Sequence, residues 1–292
     1  MGHIRELNDM PPDVLCHILH YYCDGNLYTL DLLRPLSRNF RASVAMTCAT
    51  LAIADMREIF VPGLNKSTLG TATMIKGTLK RCPRLLGLLL SECDFQYMPH
   101  LDWVFCPTPS TLTIIRLKAC YLRHQDLLAL SALPHLEALS LQQTRLDRCE
   151  SRPWEGFSQL KMLRVDSVHN LFCTALQTLR SQLLYLSCFD CMGMHDGIHD
   201  GLDSCVVLDL GKTYMSEAHL QTLLDEGAPC LKLLLVTVQF RLSPATAERM
   251  QKSGITIINS SAKVDASTVE GCLQEALRDS PKLLKYAKHI LC

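Results

Sequence analysis

Residues 85–93 read LLGLLLSEC, and residues 112–120 read LTIIRLKAC. Each stretch has apolar residues at its first, fourth and sixth positions and a cysteine at its ninth. The apolar pattern recurs in five further copies and one weaker copy, at 136–144, 160–168, 183–191, 205–213, 231–239 and from Ile255. Successive copies begin 22 to 27 residues apart, so the chain from residue 85 onward is a repeat array.

The spacing within each copy predicts a short strand, because alternate side chains of a strand point to opposite faces. The first, fourth and sixth positions should face a core, and the positions between them should face solvent. One copy cannot bury its apolar face alone, so the copies should stack. Periods of about 20–29 residues are those of leucine-rich repeats. We therefore predict an α/β fold: a leucine-rich-repeat solenoid with a curved parallel sheet of about seven strands and with helices or loops on its convex side.

Two copies carry a more specific signature. Residues 80–95, KRCPRLLGLLLSECDF, closely resemble the cysteine-containing leucine-rich repeat. Residues 227–236, GAPCLKLLLV, resemble it with proline and cysteine exchanged. This repeat subtype is common in F-box proteins, which makes the segment before the repeats informative.

The N-terminal segment has a helical pattern. In residues 7–22, LNDMPPDVLCHILHYY, the apolar residues that share one helix face are Val14, Leu15, Ile18, Leu19 and Tyr22. Three short helices within about 40 residues are too small to hold a core alone, so the segment should either cap the open end of the solenoid or dock onto a partner.

The stretches MPPDVLCHIL and DLLRPLSRNFR within this segment resemble the F-box. The resemblance implies that the protein is the substrate-recognition subunit of an SCF-type ubiquitin ligase. The F-box would bind a Skp-type adaptor and, through it, a cullin complex, and the repeats would bind the substrate protein. The adaptor-binding residues implied are Pro11, Pro12, Leu15, Ile18, Leu19, Leu33 and Leu36. The alternative is a leucine-rich-repeat interaction scaffold or inhibitor, in which the N-terminal helices act only as a solenoid cap.

These patterns divide the chain into four parts. They are an F-box-like helical segment at 1–46, linker helices or a degenerate first repeat at 47–81, the solenoid at 82–262 and a helical C-terminal cap at 263–292. The last assignment rests on an amphipathic pattern formed by Val269, Cys272, Leu273, Ala276 and Leu277.

The third, fifth and seventh positions of the central copies are the predicted surface for the protein partner. They share one face of the sheet, and stacking aligns them in rows. Arg and Tyr are favoured interface anchors. The predicted partner-binding residues are Arg116, Lys118, Gln142, Arg164, Asp166, Tyr185, Phe189 and Asp209. The matching positions of the flanking copies are apolar, so caps should cover them; these are Leu89, Leu233 and Leu235.

Residues 188–199, CFDCMGMHDGIH, have cysteine and histidine spacings that suggest a zinc site. In the repeat register, however, Cys188 is a sixth-position core residue and Cys191 occupies the ninth position, while His195 and His199 follow on a glycine-rich loop. Zinc requires ligands that converge on one point, so we predict that the repeat places both cysteines and that no metal is bound. Phosphate-binding, dinucleotide and nucleophile-elbow motifs are also missing. We therefore expect neither catalytic residues nor a cofactor.

Composition limits the remaining possibilities. Lys and Arg total 29, as do Asp and Glu, so the net charge is zero. This balance argues against nucleic-acid binding through bulk electrostatics, and the apolar stretches are too short to span a membrane. The 15 cysteines show no paired framework, so we expect a reducing compartment, the cytoplasm, the nucleus or both.

Overall fold

The computed structural model describes residues 10–11, 14–16, 18–19, 38–56, 69–107, 111–147, 151–168, 171, 173–191, 201–213, 216–237, 243–259 and 266–291. Its strands are β1 (Ile53–Asp55), β2 (Gly87–Ser91), β3 (Ile114–Lys118), β4 (Tyr121–Leu122), β5 (Ala138–Gln142), β6 (Arg145–Leu146), β7 (Met162–Arg164), β8 (Tyr185–Ser187), β9 (Val207–Leu210), β10 (Leu233–Val236) and β11 (Thr256–Asn259). Its helices are α1 (Arg38–Thr50), α2 (Leu69–Arg81), α3 (Leu101–Val104), α4 (His124–Ser131), α5 (Arg152–Glu155), α6 (Glu217–Thr222), α7 (Pro244–Lys252), α8 (Ala266–Leu273), α9 (Pro281–Tyr286) and α10 (Lys288–Leu291). Residues 14–16 and 18–19 are also helical.

One sheet of nine strands runs through the molecule in the order β1-β2-β3-β5-β7-β8-β9-β10-β11. Every pairing in it is parallel, and equal positions of successive copies lie side by side. The third positions, for example, form the row Gly87, Ile114, Ala138, Met162, Tyr185, Val207 and Leu233. This confirms the predicted α/β leucine-rich-repeat solenoid with its parallel sheet.

The sheet has two strands more than the clear copies predict, one at each end. At its start, Ile53 of β1 pairs with Gly87 of β2. Residues 51–56 therefore continue the repeat, with Leu51 and Ala54 buried at its first and fourth positions. The first full copy of the pattern is thus packed against a neighbour on both sides.

At the other end of the sheet, Thr256 of β11 pairs with Leu233 of β10. The last copy therefore starts at Gly254, and the predicted start at Ile255 is wrong by one residue. Gly254, which has a φ of +70°, occupies the first position, where the clear copies have leucine or cysteine. The apolar pattern alone consequently selects the next residue as the start.

Six strands of the main sheet, β2, β3, β5, β7, β8 and β9, end in the same turn, in which the eighth residue of the copy has a left-handed backbone. Its φ lies between 52° and 58° in Glu92, Ala119, Gln143, Ser167, Asp190 and Lys212. Such values are uncommon outside glycine, so the repeat rather than the local residue imposes them. The turn points the ninth side chain inward: Thr213 Oγ1 donates to Cys188 O at 2.8 Å and Cys191 Sγ donates to Val165 O at 2.8 Å.

The core lies between the sheet and the return segments on its convex side. The fourth positions are completely buried there, at Leu88, Ile115, Leu139, Leu163, Leu186, Leu208 and Leu234. Two return helices begin at serine N-caps: Ser216 Oγ accepts from His219 N, and Ser243 Oγ accepts from Thr246 N. None of the helices in the described ranges is both long and apolar enough to cross a bilayer.

Leu139→Asp tests the register of the repeat. Leu139 is 0% exposed at a fourth position, so the change removes a packed side chain and buries an unpaired charge. We expect a loss of about 4 kcal/mol or more, enough to unfold most domains. His135→Asp, at an exposed position of the preceding turn, is the matched control. Circular dichroism during urea denaturation measures both, and a stably folded Leu139→Asp protein would contradict the register.

Candidate functional site

The concave face of the sheet is covered by the C-terminal part of the same chain. Third-position side chains of β3 to β10 form a second apolar cluster with residues of α8 to α10 and the turn between them. The residues contributed by this C-terminal segment are Val269, Leu273, Leu277, Leu283, Ala287, Ile290 and Leu291, and each is buried. Residues 266–291 therefore lie across the sheet.

Two arginines of the fifth-position row hold the end of this segment through its backbone. Arg116 Nη1 donates to His289 O at 3.1 Å. Arg164 Nη1 donates to Ile290 O at 2.9 Å and to Leu291 O at 2.6 Å. Hydrogen bonds from an ionised donor are stronger than neutral ones, so the two guanidinium groups fix where the terminal helix ends.

A chain of polar side chains continues from Arg164 along the same face. Arg164 Nε donates to Asp166 Oδ2 at 2.6 Å, and Ser187 Oγ donates to Asp166 Oδ1. Ser187 Oγ also lies 3.5 Å from Asp209 Oδ2, and Gly211 N donates to Asp209 Oδ1 at 2.9 Å. Among the residues that the structure describes, no guanidinium group is hydrogen-bonded to Asp209. Burial, together with the nearby charge of Asp166, raises the pKa of Asp209 to about 6.

The predicted partner-binding residues are brought together on this one face, but most of them are covered. Arg116, Gln142, Arg164, Asp166 and Tyr185 are at most 5% exposed. Phe189 and Asp209 are partly buried, and Lys118 is exposed. The expectation that the third, fifth and seventh positions face solvent is therefore wrong for these five residues, because the C-terminal helices occupy the space in front of them. Whether any of the eight contacts a partner stays a prediction.

The two apolar flanking positions Leu233 and Leu235 are covered, as expected, and the C-terminal segment covers them. The apolar third-position row was the signal for the rest of this cluster. The amphipathic pattern of residues 263–292 predicts a cap at the end of the solenoid, whereas the structure places residues 266–291 across the sheet. Sequence reasoning missed that Arg116 and Arg164 have an intramolecular role.

The implied adaptor-binding residues lie in differing environments. Leu15 and Leu19 are 1% and 3% exposed and belong to the main buried cluster, together with Val44 of α1. Ile18 is partly buried and Pro11 is exposed. Pro12, Leu33 and Leu36 lie outside the described residues. Leu15 and Leu19 thus act as docking residues in this structure, and adaptor binding stays a prediction.

Both cysteines of the suspected zinc site are placed by the repeat. Cys188 is completely buried at its sixth position, and Cys191 is hydrogen-bonded to Val165 O at the ninth. Burial raises the pKa of Cys191 to about 12, which disfavours the thiolate that zinc requires. His195 and His199 lie outside the described residues. Within the ranges that the structure describes, no group of three or more His, Cys, Asp or Glu converges in a metal-binding arrangement.

No protein-family model matches the chain, and no curated protein matches it. Among solved structures, internalin C2 from Listeria monocytogenes is 18% identical, with a TM-score of 0.46 over 72% of this chain and 84% of that chain. TLR13, in its complex with ssRNA13, is 18% identical, with a TM-score of 0.47 over 74% of this chain and 30% of that chain. A leucine-rich-repeat protein from Leptospira interrogans is 16% identical, with a TM-score of 0.46 over 79% and 60%. This chain thus spans less than two thirds of the length of the last two.

Arg164→Ala tests the attachment of the C-terminal segment. The change removes the hydrogen bonds to two carbonyls and leaves Asp166 without its partner at 2.6 Å. We expect a loss of about 3 kcal/mol in unfolding free energy and faster amide exchange in residues 281–291. Lys118→Ala, on the same face but exposed, should stay within about 0.5 kcal/mol. Equal stability and exchange in the two variants would contradict the attachment.

Asp209→Asn tests the buried carboxylate. The folded-state pKa of about 6 lies above the unfolded value of about 3.9, so the folded state holds the proton more tightly. Stability is therefore lost as the pH rises from about 4 to about 6. We expect the variant to be more stable than the natural chain by about 2 kcal/mol at pH 7.5, with little difference near pH 4. Urea denaturation at both pH values measures this, with exposed Asp203→Asn as control; a constant or reversed difference would contradict it.

Proposed function

We propose that this chain is a leucine-rich-repeat interaction protein whose ligand is another protein. The observation that carries the proposal is the way in which the sheet face holds residues 266–291. Apolar third positions receive the apolar side of helices, and arginines bind the backbone carbonyls at their end. These contacts are those by which a solenoid recognises a polypeptide, and here the chain supplies its own.

Because residues 266–291 occupy the concave face, they limit where a partner protein can bind. The centre of the concave face is filled, so a partner must bind the surfaces that remain open. Lys118, Phe189 and the turn residues after the strands lie at the uncovered edge of the sheet. The convex return segments also remain accessible.

The interaction proposal is tested with the full chain. Purified from its native cells under reducing conditions, the chain should retain at least one protein in a stoichiometric complex through gel filtration and chemical cross-linking. A chain that elutes as a bare monomer, in native extracts as well as after purification, would contradict the proposed function.

A second candidate function, more specific than the first, is substrate recognition in an SCF-type ubiquitin ligase. The resemblance of residues 7–46 to the F-box motivates it. One observation favours it: the side of the N-terminal helix that faces away from the core carries Val14, which is 41% exposed, and the partly buried Ile18. These two residues are one helical turn apart and form an outward apolar pair. In this proposal the pair, rather than the buried Leu15 and Leu19, meets the Skp-type adaptor.

Val14→Asp combined with Ile18→Asp tests the adaptor contact. Charges in an apolar interface should lower capture of a purified Skp-type adaptor by about tenfold or more, measured by pull-down with the full chain. Leu69→Asp, at an exposed apolar residue on α2, should capture the adaptor normally. Failure of the natural chain to bind the adaptor would leave the plain interaction protein as the function. Undiminished capture by the double variant would contradict the outward pair.

A further inference from the structure

A pocket opens on the convex side, between α2 and the segment that follows α3. Its volume is about 420 Å³, within the usual range for ligand sites of about 300–1,000 Å³. The apolar wall is formed by Leu79, Pro83, Leu85, Val104 and Pro107. Lys76 and Lys80, one helical turn apart on α2, line the same pocket. The pocket is thus lined by both apolar side chains and lysines.

In the described part of the chain, no carboxylate forms an ion pair with the lysines at this pocket. Lys76 Nζ donates to Trp103 O at 2.9 Å and lies 4.0 Å from the centre of the Trp103 ring. These two contacts fix its position, and no carboxylate of the described residues is paired with it. Lys80 and Arg84 are exposed, and neither forms an ion pair or hydrogen bond in the described part of the chain. Lys76 and Lys80 therefore place two positive charges at the pocket, and the exposed Arg84 lies in sequence between the lining residues Pro83 and Leu85.

Two aromatic residues, Tyr97 before α3 and Trp103 within it, are also exposed. Tyr97 is 71% exposed and Trp103 is 40% exposed, although large aromatic side chains are usually buried. Aromatic side chains are enriched in protein interfaces, and Trp and Tyr are enriched among the residues that dominate binding energy. Trp103 lies directly against Lys76, which connects this apolar surface to the pocket.

We propose that this pocket receives an apolar side chain from an acidic segment of the partner protein. Burial of that side chain against Leu79, Leu85 and Val104 provides the anchor, while flanking carboxylates pair with Lys80 and Arg84. The inference rests on the proposed interaction function and names the surface and the partner chemistry. It also meets the requirement set by the filled concave face, because the pocket lies on the opposite side of the sheet from residues 266–291.

The probe is a fluorescein-labelled peptide of sequence Asp-Glu-Leu-Phe-Asp-Glu, titrated with the full chain and followed by anisotropy. Two control peptides replace either the four acidic residues by lysine or the Leu-Phe pair by Ala-Ala. The natural chain should bind the acidic apolar peptide at least about tenfold more tightly than either control, because charge and burial are both required. Binding to the acidic Ala-Ala peptide with equal strength would overturn the proposal.

Two variants locate the binding. Lys80→Glu with Arg84→Glu should weaken binding at least about tenfold, whereas Arg278→Glu with Lys282→Glu, an exposed Arg–Lys pair with the same spacing, should change it less than about twofold. Leu79→Trp fills the pocket without a change in charge and should abolish binding while the circular dichroism spectrum stays unchanged. Peptide binding that survives both pocket variants would overturn the proposal.

The outcomes also separate this inference from the function on which it rests. If the natural chain keeps its partner in gel filtration and the Lys80→Glu, Arg84→Glu variant keeps it equally well, the pocket is wrong and the interaction function stands. If the natural chain retains no partner at all, the proposed function itself fails. Binding of dodecanoate without binding of the acidic peptide would assign the pocket to a small amphiphilic anion, which also overturns the proposal.

Discussion

Backbone hydrogen bonding between equal positions of neighbouring copies is the interaction on which the rest of this structure depends. The carbonyl of a second-position residue accepts from the next copy: Leu86 O from Thr113 N and Ile114 N, and Lys161 O from Leu184 N. The same bond recurs along the sheet, and at the strand ends the left-handed eighth residue donates to the following copy, as Glu92 N does to Lys118 O. A copy therefore has its shape only beside a neighbour. This explains why a length difference of several residues between copies is absorbed by the return segments and not by the sheet.

The regular sheet creates a second requirement on its concave side. Because the third positions are aligned, apolar residues there form one continuous stripe that runs across six strands, from Ile114 to Leu233. An uncovered stripe of this kind would bind other chains. Residues 266–291 cover it with seven buried apolar side chains. At about 1.5–3 kcal/mol for each fully buried side chain, reduced for residual burial in the unfolded chain, the contribution is on the order of 10 kcal/mol. That is comparable to the total stability of a domain, so the C-terminal segment is part of the folded unit.

The sequence predicts the features that depend on residues close together in the chain, and it does not predict those that depend on contacts between distant residues. The spacing of Leu136, Leu139 and Leu141 is local and repeated, so it predicts the strands and their parallel stacking. Gly254 stands at the first position of the last copy in place of a leucine, and for this reason the predicted register of that copy is wrong by one residue. The covered concave face depends instead on a contact between residues more than 120 positions apart, such as Arg164 and Leu291. An arginine at a fifth position gives the same sequence pattern whether it contacts a partner protein or the C-terminal segment of its own chain. The pattern therefore does not predict which of the two it contacts.

The N-terminal helix and the convex pocket are two further features that the sequence pattern alone does not define. The helical pattern of residues 7–22 put Val14, Leu15, Ile18 and Leu19 on one face, but only the packing against α1 separates the buried Leu15 and Leu19 from the exposed Val14. The pocket has no periodic signal at all, because Lys76 and Lys80 come from α2 while Val104 and Pro107 come from the following return segment. Because the C-terminal segment of the chain fills the concave face, the surfaces that remain available for a partner are those outside the repeated strand positions. Cations beside an apolar wall persist without cost to the sheet, and the acidic partner that we propose would pair with them.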